Sequence, residues 1–187
     1  MSDQEGYEPG PATGAHVRRD GENWTLVLVR QLRHAPEKVW RALTDPAQLR
    51  EWAPFDADRS LDTAGTTVQL STVGTPAPQV AATTVLRADA PRRLEYDWGG
   101  QHLRWELEAS GGGTRLVLWH NIDRRFISMG AAGWHICFDV LDRLLGGAPL
   151  GRRVGPQLMK FAGWQRLNAE YAQQFAATPD PARESAR

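Results

Sequence analysis

His34-Ala-Pro-Glu-Lys-Val-Trp-Arg-Ala-Leu-Thr-Asp-Pro-Ala-Gln-Leu-Arg-Glu-Trp-Ala-Pro54 decides the fold of this chain. A β-type run, Thr25-Leu-Val-Leu-Val-Arg-Gln-Leu-Arg33, leads into it and ends before Ala35-Pro36. Proline is free of cost in the first helical turn, where its missing N–H would have no partner anyway. Glu37 follows, a carboxylate at the positive end of the helix dipole. Val39, Trp40 and Leu43 share one apolar face, so Trp40 is expected to pin this helix to the sheet. Asp45-Pro46 stops the helix, because the residue before a proline is pushed out of helical geometry. A second short helix, Ala47 to Trp52, is cut by Pro54.

Downstream, alternation takes over. Thr66 to Val73 alternates and stops at Gly74, and Val80 to Ala88 forms a β-branched run after a loop holding Pro76 and Pro78. Arg93 to Trp98 puts Leu94, Tyr96 and Trp98 on one face, and Gly99-Gly100 signals a tight hairpin. The returning strand turns Leu103, Trp105 and Leu107 inward, Gly111-Gly-Gly113 makes the next hairpin, and Thr114 to Ile122 closes the set. Consecutive hairpins of this kind describe an antiparallel meander with one wet face. The cover for its dry face is Ala131-Ala-Gly-Trp-His-Ile-Cys-Phe-Asp-Val-Leu-Asp-Arg-Leu-Leu145. Trp134, Cys137, Phe138, Leu141, Leu144 and Leu145 make one apolar stripe there, ended by Gly146-Gly147. A last helical segment carries Phe161, Trp164, Leu167, Tyr171 and Phe175.

The block from Ala35 to Pro46, with Leu49 and Trp52 after it, resembles the START-like (SRPBCC) superfamily, in its activator of Hsp-90 ATPase homologue-like branch. The 131–145 block looks like that family's long C-terminal helix, and the likeness covers roughly residues 24 to 177. It implies an α+β, helix-grip (START-like, Bet v-like) fold: a curved antiparallel sheet wrapped around a long C-terminal helix. The expected organisation is a disordered tail over 1–22, one START-like domain over 23–177 and a disordered tail over 178–187. The tails show no apolar periodicity, so the domain is expected to fold without them.

Bulk properties agree with a single domain that needs neither disulfide nor metal. The chain has 187 residues, 41% hydrophobic and 24% charged. Lys+Arg and Asp+Glu number 22 each, which gives no electrostatic pull toward nucleic acid or an anionic membrane. The single cysteine, Cys137, excludes an internal disulfide and suits a reducing, cytoplasmic setting. No apolar run approaches the roughly 20 residues of a membrane span. No metal-ligand spacing, nucleophile elbow, phosphate loop or dinucleotide fingerprint is present, so no cofactor, metal or catalytic residue is assigned.

Eight tryptophans are the compositional oddity, readable as cavity walls or as core filler. The candidate ligand-binding set is Trp98, Trp105, Trp119, His120, Trp134, Phe138 and Leu141, with His120 as the polar contact. His120 points inward if Leu116, Leu118 and Ile122 do. His135 and Asp139 share a helix face as an i, i+4 pair, facing either a cavity mouth or solvent. Gly133, inside the long helix, costs about 1 kcal/mol relative to alanine, and close packing against the sheet is the expected compensation. The first functional reading is a protein that binds a hydrophobic or aromatic small molecule; the resemblance implies lipid-, polyketide- or hormone-like ligands. The second, implied by the same resemblance, is a polyketide cyclase- or aromatase-like enzyme, for which His120 and His135/Asp139 are the residues that could move protons. The third is a chaperone partner, though no charged docking run is visible.

Overall fold

The computed structural model describes residues 6–177. The chain runs β1 (Ala15–Asp20), β2 (Asn23–Leu32), α1 (Pro36–Thr44), α2 (Pro46–Trp52), β3 (Phe55–Ala57), β4 (Thr67–Thr72) and β5 (Gln79–Thr84). It continues through β6 (Arg87–Asp89), β7 (Arg93–Trp98), β8 (Gln101–Ser110), β9 (Gly113–Asn121), α3 (Ile127–Leu145), α4 (Pro156–Met159) and α5 (Ala162–Ala176).

Asp45 does two jobs at the opening. Its backbone sits at φ −78° and ψ 122°, extended as a residue before proline should be, and it ends α1. Its carboxylate then accepts the Ala47 N–H at 2.9 Å and caps α2. Trp52 reaches back from α2, donating its indole N–H to the Ala42 carbonyl at 2.9 Å, one of the carbonyls that α1 leaves open at its end. Val39, Trp40 and Leu43 are buried in the main core, as their spacing predicts.

Six strands make an antiparallel sheet in the order β1-β2-β9-β8-β7-β6, and β3-β4-β5 form a second sheet. The expected single run from Val80 to Ala88 is therefore two strands in two sheets. Val85 still donates to Thr66 on the side of the small sheet, at 2.9 Å, whereas Leu86 already donates to Glu95 of β7, at 2.8 Å. One continuous piece of chain thus crosses between sheets, which bends the whole around α3. β3 has only three residues, too few for alternation to show. Helix α3 begins at Ile127, four residues before the expected Ala131, and buries Trp134, Phe138 and Leu141 in one core with Leu26, Leu103, Trp105, Leu116 and Leu118. The result is a helix-grip α+β fold, with α5 packed beside α3.

The N-terminal expectation needs correction. Residues 15–20 are not tail but an edge strand, paired with β2 from Ala15↔Leu28 to Asp20↔Asn23. Ahead of it, residues 7–14 lie across α5 and the end of α3. Glu170 accepts the Ala12 N–H at 2.7 Å, Tyr171 donates to the Thr13 carbonyl at 3.0 Å, and Gln174 donates to the Ala12 carbonyl at 2.9 Å. Arg166 holds the Pro9 carbonyl, and the Tyr7 hydroxyl donates to Asp139 at 2.5 Å. Side chains gripping a backbone hold this strap, and hydrophobic periodicity is silent about that kind of contact. The expected tail over 178–187, like residues 1–5, lies outside the described residues.

Removing residues 1–22 is therefore expected to lower the thermal unfolding midpoint by roughly 10 °C or more, since a strand and several partly buried hydrogen bonds go together. A midpoint within two or three degrees of the full chain's, by circular dichroism, would show that strap and strand add nothing.

Candidate functional site

A pocket of about 340 Å³ opens where one face of α3 looks past the ends of three strands of the large sheet. From α3 come Gly133, Trp134 and Cys137, from the strand ends Trp98, Gln101 and His120. The loop between α3 and α4 closes the far side with Arg153 and Val154, joined by Leu158 of α4 and Trp164 of α5. The walls are largely apolar, with a few polar groups.

The glycines of α3 explain the open space. A Cβ placed on Gly130 would stand 2.8 Å from Ile122 Cδ1 and 3.6 Å from Leu26, so this is the position where helix and sheet come close. A Cβ on Gly133 would meet nothing within 4 Å. The close packing expected at Gly133 therefore belongs one turn earlier, and Gly133 instead leaves room in the pocket.

Two of the tryptophans in the wall are fixed by hydrogen bonds. Trp98 donates its indole N–H to Thr72 Oγ1 at 2.9 Å, which ties the end of β7 to β4 of the small sheet. Trp134 donates to His120 Nδ1 at 3.0 Å. An indole nitrogen only donates, so His120 Nδ1 carries no proton and Nε2 does. That Nε2–H points at Gln101 Oε1, 2.7 Å away. Burial pushes the His120 pKa down to about 4. With both nitrogens engaged and the ring neutral, His120 fixes its neighbours and is poorly placed to shuttle protons. Burial also raises the Cys137 thiol to about 12, so it meets the pocket as a thiol and not a thiolate.

The sequence-based site set divides. Trp98, His120 and Trp134 line the pocket. Trp105, Phe138 and Leu141 stand behind that wall as core: Trp105 meets the Trp134 ring edge-on at 5.5 Å, and Phe138 lies 6.0 Å from Trp105. Trp119 faces the other way, because Leu118 and His120 take the inner positions on β9 and strand neighbours alternate. It lies on the outer face between the guanidinium groups of Arg18, at 5.3 Å, and Arg104, at 4.2 Å. Gln101 and Arg153 were missed by sequence reasoning, and Gly133 was not assigned to the site. Gln101 opens a strand next to a Gly-Gly turn and Arg153 sits in a loop, so neither carries a pattern; Gly133 was noticed but given the opposite surroundings.

His135 and Asp139 are on the far side of α3. His135 Nδ1 lies 2.7 Å from the Tyr171 hydroxyl, while Asp139 pairs with Arg30 and accepts from Tyr7 under the N-terminal strap. Burial lowers the His135 pKa to about 4, outweighing the opposing pull of Asp139. Neither residue reaches the pocket, so their pairing secures the strap and α5. Among the described residues no group of His, Cys, Asp or Glu is arranged to hold a metal, and no helix is long and apolar enough to cross a membrane.

The profile of the family described as Activator of Hsp90 ATPase homolog 1-like protein matches residues 33–146, more than half the chain. This chain belongs to that family. A search of curated proteins returned no match. Among solved structures, it is similar to a conserved protein of unknown function from Enterococcus faecalis, at 13% identity and TM-score 0.67, over 89% of this chain and 92% of that one. It is also similar to CalU16 from Micromonospora echinospora, at 23% identity and TM-score 0.61, over 88% and 96% of the two chains. A protein from Mesorhizobium loti, MLL2253, reaches 26% identity and TM-score 0.57, over 67% of this chain and 99% of that one. The first two likenesses speak for the shared fold.

Two outcomes follow from this geometry. Gly133→Ala should raise stability by up to about 1 kcal/mol, because the helix gains and the new methyl enters open space; a fall in denaturant midpoint would mean that Gly133 is tightly packed. The second concerns pH. His120 and His135 both have folded pKa values below the ordinary value of 6.5, so their contribution is complete above about pH 6.5 and drains as pH falls toward about 4. The thermal midpoint should drop across that window, and less steeply in His120→Asn; an equally steep drop in the variant would show that His120 does not resist protonation.

Proposed function

We propose that residues 6–177 form one ligand-binding domain whose pocket holds a small, largely apolar and aromatic molecule. One observation carries this reading: an apolar pocket of about 340 Å³ lies between α3 and the strand ends, and Gly133 leaves it open from inside a helix. Its volume is at the small end of the range typical for pockets that take organic ligands. The family background agrees, since SRPBCC-type proteins bind hydrophobic ligands or act as cyclases. Trp98 and Trp134 would supply flat walls, held by their hydrogen bonds to Thr72 and His120 without rearrangement on binding. The same reading places the protein in the cytoplasm, supported by its single cysteine, which is buried and unpaired.

The test uses a plain hydrocarbon. Titration with 2-isopropenylnaphthalene should quench tryptophan emission saturably, because Trp98, Trp134 and Trp164 border the pocket. Gly133→Leu places a branched side chain in the open space and should weaken binding at least about tenfold, as a side chain filling the site removes the ligand's contacts, without lowering the thermal midpoint. Equal affinity in wild type and Gly133→Leu, or no saturable quenching at all, would defeat this reading.

A further inference from the structure

Gln101 is the residue whose orientation the surrounding chemistry leaves no freedom to change. Trp134 imposes the first constraint, because its indole N–H is a donor and nothing else. It lies 3.0 Å from His120 Nδ1, so that nitrogen must accept and the proton of the neutral ring must sit on Nε2. His120 Nε2 therefore donates, and the atom 2.7 Å away must be an acceptor. Only the oxygen end of the Gln101 amide qualifies, since turning the amide over would set N–H against N–H. A donor-only group two hydrogen bonds away thus dictates which end of a flexible amide meets His120 and which end is left over.

What is left over is an NH2 group that meets no acceptor among the described residues. Gln101 borders both the apolar pocket and a polar groove beside the β7–β8 turn. An amide with one end tied down and the other unpaired is preorganised: it offers two N–H donors at a fixed point and loses little side-chain freedom when used. The rest of the wall is indole, thiol, phenyl and aliphatic, apart from the committed His120 ring and Arg153 in the loop between α3 and α4, whose guanidinium lies over the Tyr7 ring at 5.0 Å.

We infer that the Gln101 side-chain NH2 is the specificity donor of this pocket, so that the molecule it takes is an apolar aromatic bearing a hydrogen-bond acceptor, a carbonyl-type oxygen, on the edge next to the β7–β8 turn. This rests on the ligand-pocket reading above and adds to it the polarity of the ligand. A ligand with only a donor, such as an ammonium group, would face like against like at that point and be rejected.

A matched pair of probes tests the inference at pH 8: 2-acetylnaphthalene, with a carbonyl, and 2-isopropenylnaphthalene, the same shape with a methylene in place of the oxygen. The readout is the ratio of their affinities. Gln101→Glu keeps an acceptor for His120 but removes the donor, and Gln101→Met removes both at similar length. In each variant the ratio of ketone to hydrocarbon affinity should fall about fivefold, the usual net worth of one hydrogen bond. Should Gln101→Glu fail to fold, Gln101→Met decides. In the wild-type protein the side-chain amide resonances of Gln101 should shift with the ketone and stay put with the hydrocarbon. An unchanged ratio together with unshifted amide resonances overturns the donor assignment and leaves the pocket standing. Failure of both probes to bind wild type overturns the pocket itself, and this inference with it.

Discussion

A buried indole N–H is the constraint on which the centre of this molecule depends. Trp134 is 3% exposed in the face of α3 that packs on the sheet, and a donor buried there without a partner would cost about 1–3 kcal/mol. Its acceptor, His120, must then stay neutral and hold its proton on the other nitrogen. That requirement fixes the height of α3 over β9, because the bond forms at only one register of helix against strand. The aromatic neighbours accept the same register: Trp105 and Trp98 both meet Trp134 edge-on, at 5.5 Å and 5.9 Å. Gly130 allows the helix to come close at one turn, and Gly133, a turn later, keeps space where the helix passes the strand ends. One polar contact and two glycines thus separate a dry core from an open pocket along a single helix.

Much of the architecture was legible because it is written in periodicity. Pro36, Asp45 and Pro46 bracket two helices whatever surrounds them, and the Gly-Gly turns set hairpins whose register follows from strand alternation. The passage from small sheet to large at Val85–Leu86 was not legible, since a β-branched run reads the same whether its hydrogen bonds go to one sheet or change over midway. The strap over 7–14 was hidden for a different reason. Its partners are the side chains of Arg166, Glu170, Tyr171 and Gln174, more than 150 residues away, gripping backbone groups that look alike in any sequence.

The pocket was half legible. An inward His120 followed from alternation, and Trp134 from the helical stripe, so the central pair of the wall could be named from sequence. Depth could not. Trp105 and Phe138 share faces with the lining residues, and only the distance between helix and sheet decides that they lie behind the wall. Trp119 was in the candidate set although alternation places it outside, because a neighbour of an inward strand residue points outward. Gln101 illustrates a residue that no pattern marks, whose role depends on a chain of hydrogen bonds leading back to another element.

The pairing of β1 with β2 also bears on how the molecule behaves among copies of itself. β2 is ten residues long, with Leu26, Val27 and Leu28 in a row, and without a neighbour it would offer a long line of open backbone groups flanked by apolar side chains. Such an edge is a template for strand addition from another chain. β1 occupies it and substitutes an edge ending in Arg18, Arg19 and Asp20, where an incoming strand would have to desolvate charge. At the opposite border β6 is only three residues long, too short to recruit much of a partner strand. The six residues of β1, four of them polar or charged, therefore act as a guard against self-association as well as a piece of the sheet.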